Sequence, residues 1–191
     1  MNPLLFDDLF ILICQYLNIN NIIGYELISK FHTKLIRITP WYQEIKLKKI
    51  MTNYQFKNIN LSNTKVIDVS QLGNCHTLDL SWTKVSDVSQ LGNCHTLNLH
   101  NTYVSDVSAL GNCHTLDLSC TKVSDVSQLG NCHTLDLSCT KVSDVSQLGN
   151  CHSLNLYHTK VLNVDALINC HTLILYNKNI DVSLLKNCKI Y

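Results

Sequence analysis

Charge is scarce in this sequence: Asp, Glu, Lys and Arg make up 15 % of the 191 residues, and the formal net charge is +1. No uniform field is therefore available to draw in a phosphate backbone or an anionic bilayer, so neither nucleic acid nor membrane is expected as a partner. No apolar run approaches the roughly 18 residues that a membrane-spanning helix needs. The opening Met-Asn-Pro, followed by Asp7 and Asp8, lacks the basic start and apolar stretch of a secretory signal. The expectation is an intracellular chain, cytoplasmic or nuclear. Also missing are a phosphate loop, a nucleophile elbow and any clustered acid–base pair outside repeated positions, so no enzyme, catalytic residue, metal or cofactor is expected.

Cysteine, by contrast, is abundant, with ten in the chain. In a reducing compartment these stay thiols, and their positions explain them better than redox chemistry does. Cys75, Cys94, Cys113, Cys132, Cys151 and Cys170 recur every 19 residues, and Cys188 follows after 18. One unit, Leu72 to Gln90, reads LGNCHTLDLSWTKVSDVSQ. Its apolar column of Leu72, Cys75, Leu78, Leu80, Val85 and Val88 returns as Leu91, Cys94, Leu97, Leu99, Val104 and Val107. A more divergent copy fits Phe56, Ile59, Leu61, Thr64, Val66 and Val69, giving seven strand positions.

Leu78 and Leu80 alternate as in a short half-buried strand, while the flanking apolar spacings demand turns. A unit this small cannot bury its own apolar side, so copies must stack into a parallel sheet over a continuous core. Cys75-x-x-Leu78-x-Leu80-x-x-Thr83-x-Val85 resembles the leucine-rich-repeat signature, with cysteine at the first apolar site and threonine at the usual asparagine site. Val85-Ser86-Asp87-Val88 with Leu91 resembles the internalin type, about three residues shorter on its outer side, which implies tight turns or single helical turns there.

Adjacent residues near a strand point to opposite sides, so Cys75 and its equivalents face the core as small hydrophobes. His76, His95, His114, His133, His152 and His171 then face outward and do not converge on one metal ion. Six equivalent Cys-His pairs are also what duplication of a structural unit produces, whereas nucleophilic catalysis needs one constellation. Thr64, Thr83, Thr102, Thr121, Thr140 and Thr159 suit hydroxyl bonds to backbone groups freed by the bend. Asp68, Asp87, Asp106, Asp125 and Asp144 read as turn caps beside a solvated lysine column. The informative surface is the exposed, concave side of the strands. Asp79, Asn98, His100, Asp117, Asp136, Asn155, Tyr157 and Tyr176 are its candidate contacts with an unidentified protein target. Tyr157 and Tyr176 fit either an interface anchor or a shield for the end of the stack. Cys120 and Cys139, one repeat apart, are close enough for a disulfide on isolation, but a reducing cytosol disfavours it.

Residues 1–50 lack the repeat and follow helical spacing through Leu5, Leu9, Leu12, Ile13, Tyr16 and Leu17, then Ile22, Ile23, Leu27 and Ile28. The order Leu5-Phe6-Asp7-Asp8-Leu9, Ile13, Tyr16-Leu17, Ile28-Ser29-Lys30-Phe31 and Trp41 resembles the F-box, the module that docks on the Skp-type adaptor of cullin-RING ubiquitin ligases; Phe6 stands where that module usually has proline. The resemblance implies that Leu5, Leu9, Ile13, Leu17 and Ile28 pack in the module or on the adaptor. The bland alternative is that the segment only caps the open end of the stack, although a cap needs just an apolar surface and would not require this residue order. The resulting expectation is an α/β chain: a small helical F-box-like module over 1–50, then leucine-rich repeats over 51–191. An F-box with leucine-rich repeats resembles the substrate receptors of such ligases, the alternative being a repeat scaffold or inhibitor. The near-identical copies resemble repeat families expanded in giant DNA viruses and amoebae, where the implied role is redirecting host ubiquitination.

Overall fold

The computed structural model describes residues 57–191. They form one sheet of eight short parallel strands in sequence order: β1 (Asn58–Asn60), β2 (Thr77–Asp79), β3 (Thr96–Asn98), β4 (Thr115–Asp117), β5 (Thr134–Asp136), β6 (Ser153–Asn155), β7 (Thr172–Ile174) and β8 (Lys189–Ile190). From β1 to β7 each residue pairs with its equivalent 19 positions on, as Leu78 with Leu97 and Leu97 with Leu116. The two-residue β8 adds a rung to the seven read from the sequence.

The ladder continues past each strand. Leu80 N–H donates to the Asn98 carbonyl and Trp82 N–H to that of His100, at 2.8 and 2.9 Å. The chain then turns and returns through Val85, where a second line of inter-coil bonds runs, such as Tyr103 N–H to the Val85 carbonyl at 2.9 Å. Successive i to i+3 bonds close the coil, Leu91 N–H to Val88 and Cys94 N–H to Leu91, at 2.9 and 3.0 Å. In two copies this segment tightens into a single 3-10 turn, Ser108–Leu110 and Asp165–Leu167.

The α/β class expected from the sequence does not hold: the described residues contain no α-helix and form a leucine-rich-repeat-like parallel β-solenoid. The cause is the length of the coil. Once a strand and two bends are taken from 19 residues, the return stretch has room for i to i+3 turns but not for a helix with i to i+4 bonds. The helical F-box-like module read over residues 1–50 lies outside the described residues.

Six apolar side chains per coil point inward. In the central copies Leu97, Leu99, Val104, Val107, Leu110 and Cys113 are at most 3 % exposed and join one continuous cluster. Burying a leucine or valine stabilises by about 1.5–3 kcal/mol, and only stacking supplies the second wall that makes the burial complete. The coils also approach closely. Gly92, Gly111 and Gly130 sit where an added β-carbon would lie 2.5–2.6 Å from a backbone carbonyl of the next coil. Among the described residues no glycine adopts positive φ. These glycines supply room and not conformational freedom.

Candidate functional site

The bend after each strand carries two side-chain bonds that fix the edges of the open sheet face. Thr83, Thr102, Thr121 and Thr140 are buried, and their hydroxyls donate to the carbonyls of Leu80, Leu99, Leu118 and Leu137 at 2.6–2.7 Å. The preceding residue is left-handed in six coils: Asn63, Trp82, Asn101, Cys120, Cys139 and His158 have φ of 53 to 60°. Asparagine suits that conformation, whereas Trp82 and the two cysteines hold it at a steric cost.

The expected contact residues Asp79, Asn98, Asp117, Asp136 and Asn155 do line up on the open face, half-buried. Their first task is local. Each Oδ1 accepts the N–H two residues on, from Ser81, His100, Ser119, Ser138 and Tyr157, at 2.8–3.0 Å. Oδ2 of Asp136 also accepts Asn155 Nδ2 at 2.8 Å. Ser81 and Ser119, which strand alternation would turn outward on this face, are buried.

His100 is half-buried, with Nδ1 at 2.7 Å from Ser119 Oγ, and that hydroxyl donates to Asp117 Oδ1 at 2.5 Å. Because the hydroxyl proton goes to Asp117, His100 must donate its own N–H to Ser119. The histidine is therefore no base for that serine, and the order His–Ser–Asp is not a nucleophilic triad. Trp82 packs edge-on to the same imidazole at 5.4 Å.

At the last rungs the repeat is broken by aromatics. Tyr157 and Tyr176 meet edge to face at 5.3 Å, and His158 touches both, at 4.2 and 4.4 Å. Tyr157 is 41 % and Tyr176 60 % exposed. An open pocket lies beside them, lined by Leu156, Val161, Leu175 and Ile180 with His158 and Tyr176. Tyr157 and Tyr176 were legible as departures from the unit. The pocket was not, because it forms between coils of different length.

The outward histidines are stacked. From His76 to His171 each ring lies 4.6–4.7 Å from the next, with planes 8 to 19° apart. Five of the six place Nδ1 3.2–3.4 Å from the following threonine hydroxyl. His133 is held below the ordinary imidazole value by desolvation, then by His114 and His152 on either side. Among the described residues no group of three or more His, Cys, Asp or Glu is placed to hold a metal.

The buried cysteine column is inert. Loss of hydration pushes Cys75, Cys113, Cys132 and Cys151 up to about 12, and Cys94 and Cys170 to about 11. Cys120 and Cys139 are free and exposed. Asp87, Asp106, Asp125 and Asp144 are lowered by the serine N–H each accepts. They are turn caps, as their column suggests. The expected adaptor-facing residues Leu5, Leu9, Ile13, Leu17 and Ile28 lie outside the described residues.

No protein-family model and no curated protein matches the sequence. Solved structures do. An internalin (inlF) from Listeria monocytogenes superposes with a TM-score of 0.62 at 25 % identity, over 74 % of this chain and 48 % of that one. This chain thus spans about half the length of that relative. Internalin C2 (inlC2) from the same organism gives 0.63 at 25 % identity, over 73 % and 71 %. The leucine-rich-repeat ectodomain of the Arabidopsis thaliana receptor kinase GASSHO1/SCHENGEN3, solved in complex with Casparian strip integrity factor 2, gives 0.50 at 22 % identity, over 67 % and 19 %, a likeness of fold alone. The described residues are an internalin-like leucine-rich-repeat solenoid.

Proposed function

We propose that this chain is a protein-interaction module whose partner docks on the open sheet face, anchored at Tyr157, His158 and Tyr176. The supporting observation is that cluster: three exposed rings in mutual contact beside an open pocket of mixed polar and apolar lining, at the point where repeat symmetry breaks. Tyrosine concentrates binding energy at interfaces because it gives large contact area with few rotors to freeze. The plant receptor ectodomain, which shares the fold, was solved in complex with Casparian strip integrity factor 2.

The more specific reading makes the chain the substrate-recognition subunit of a cullin-RING ubiquitin ligase. It rests on the order of Leu5, Leu9, Ile13, Leu17 and Ile28, which resembles an F-box. The repeats would hold the target and the N-terminal segment a Skp-type adaptor, so that tethering replaces a bimolecular encounter with a local one. Full-length chain is expected to bind purified Skp-type adaptor saturably, with binding lost in Leu9→Asp and Ile13→Asp. A folded wild-type chain that does not bind leaves a repeat scaffold or inhibitor. The docking face is tested separately, by quantitative capture from lysate with wild type and the Tyr157→Ala/Tyr176→Ala variant. A partner held at equal yield by both contradicts the anchor.

A further inference from the structure

The stacked histidines belong to a longer column. Pairing of Asn58 with Thr77 puts Lys57 level with His76, while pairing of Thr172 with Lys189 puts Lys189 at the end of the neighbouring threonine column. Along one edge of the sheet the column thus reads Lys57, His76, His95, His114, His133, His152, His171, and all seven are exposed.

The surroundings contain little to neutralise such a line. Behind it lie the cysteines, uncharged because burial raises them to about 11 or 12. Flanking it are Asn74 and its equivalents and the Thr77 column, neither of which titrates. The nearest carboxylates by register are Asp79, Asp117 and Asp136, three residues along the strand, roughly 10 Å away and so about one Debye length at physiological salt. On the groups acting on His133, its own desolvation comes first and the two neighbouring histidines follow.

The column is a stack of imidazoles, five of them tied through Nδ1 to the following threonine. Below about pH 6 imidazole takes protons, and each addition is opposed by neighbours 4.6–4.7 Å away. A multivalent anion laid along the column removes that opposition, so its binding and the uptake of protons reinforce each other. We propose that this edge is an acid-gated binding stripe for an extended phosphate-bearing polyanion. Phosphate chemistry is favoured over carboxylate chemistry because phosphate diesters and polyphosphate keep their charge at every pH that protonates imidazole, whereas acidic side chains, at about 3.9 and 4.3, lose theirs as the pH falls below about 5. The site is separate from the tyrosine anchor and stands without it.

The test uses the full chain and long-chain inorganic polyphosphate at fixed ionic strength, with circular dichroism confirming the fold at each pH. Affinity is expected to rise at least tenfold from pH 7.5 to 5.5, with a steeper salt dependence at the lower pH. The exposed quadruple variant His95→Gln/His114→Gln/His133→Gln/His152→Gln is expected to lose most of that rise, and His114→Gln/His133→Gln about half. Equal affinity at the two pH values, or an undiminished rise in the folded variants, overturns the proposal. Polyglutamate binding as tightly as polyphosphate at about pH 4.5, where its side chains have lost much of their charge, overturns the phosphate assignment.

Discussion

Gly111→Ala adds one methyl group at a point where a backbone carbonyl, not a flexible side chain, stands in the way. Its β-carbon would lie 2.6 Å from the Gln128 oxygen. Ordinary contact needs roughly 0.7 Å more, and a gap of that size between packed surfaces forfeits a quarter to a half of their dispersion attraction. Two coils would have to separate across Leu110, Cys113, Leu129 and Cys132, all 0 % exposed. Overpacking of this kind costs about 1–3 kcal/mol, and the rigidity of the carbonyl argues for the upper half. For an array this size the midpoint of thermal unfolding should fall by roughly 5–15 °C. Gly149→Ala should be milder, since its obstructing carbonyl, Ala166, is 2.8 Å away. The same column carries Ile168, 52 % exposed, where the following copy is one residue shorter. Thermal and urea denaturation followed by circular dichroism measures all three, with Ile168→Gly expected to change little. A Gly111→Ala midpoint within 2 °C of wild type would refute the claim that coil spacing, and not turn conformation, is what these glycines serve.

Thr121→Val removes the donor to the Leu118 carbonyl, bonded at 2.6 Å in a buried bend, and should cost about 1–3 kcal/mol in urea unfolding. Cys120→Asn and Cys139→Asn place asparagine in the left-handed position it holds at 63 and 101, and each should stabilise by about 0.5–1 kcal/mol in the same assay. The buried thiols titrate higher when folded than the ordinary value of 9.0, so the stability they provide is complete below pH 9 and is lost as pH rises from there toward about 12. Alkaline unfolding starting above pH 9, and shifted upward in Cys113→Ala/Cys132→Ala, is the expected outcome. Mass-resolved alkylation at pH 8 should label Cys120 and Cys139 while sparing Cys113, Cys132 and Cys151 until denaturant is added.

Much of the solenoid is legible because a column multiplies each signal: one Cys75 is ambiguous, six at a 19-residue spacing define an inward position. The threonine hydroxyl bonds and the aspartate turn caps follow from the same columns. The α/β class failed because a 19-residue coil leaves its return stretch no room for a helix, and the described residues form none. The open-face residues were only half legible. Asp79 and Asn98 are equally good at capping a bend and at meeting a partner, and residue type alone does not say that the bend claims one oxygen first. Ser81 and Ser119 follow strand alternation on paper, yet the chain bends just after Leu80 and Leu118 and folds them under. The histidine stack illustrates a different gap, since the sequence gives outward direction while the ring spacing comes from sheet geometry.

In-register pairing of near-identical coils also shapes the history and the folding of the chain. Because Leu78 meets Leu97 in the same way that Leu116 meets Leu135, a whole unit can be inserted or deleted without rewriting any interface that remains. Unequal recombination between such copies changes the length of the protein in steps of 19 residues while leaving every neighbour satisfied. The same interchangeability gives the growing stack competing partners, for a coil can dock one period out of place and lose only a single interface. The irregular copies, with Trp82, Tyr103, Leu162 and Ile168, are the places where such a slipped alignment meets a mismatch, and they act as punctuation in an otherwise uniform text.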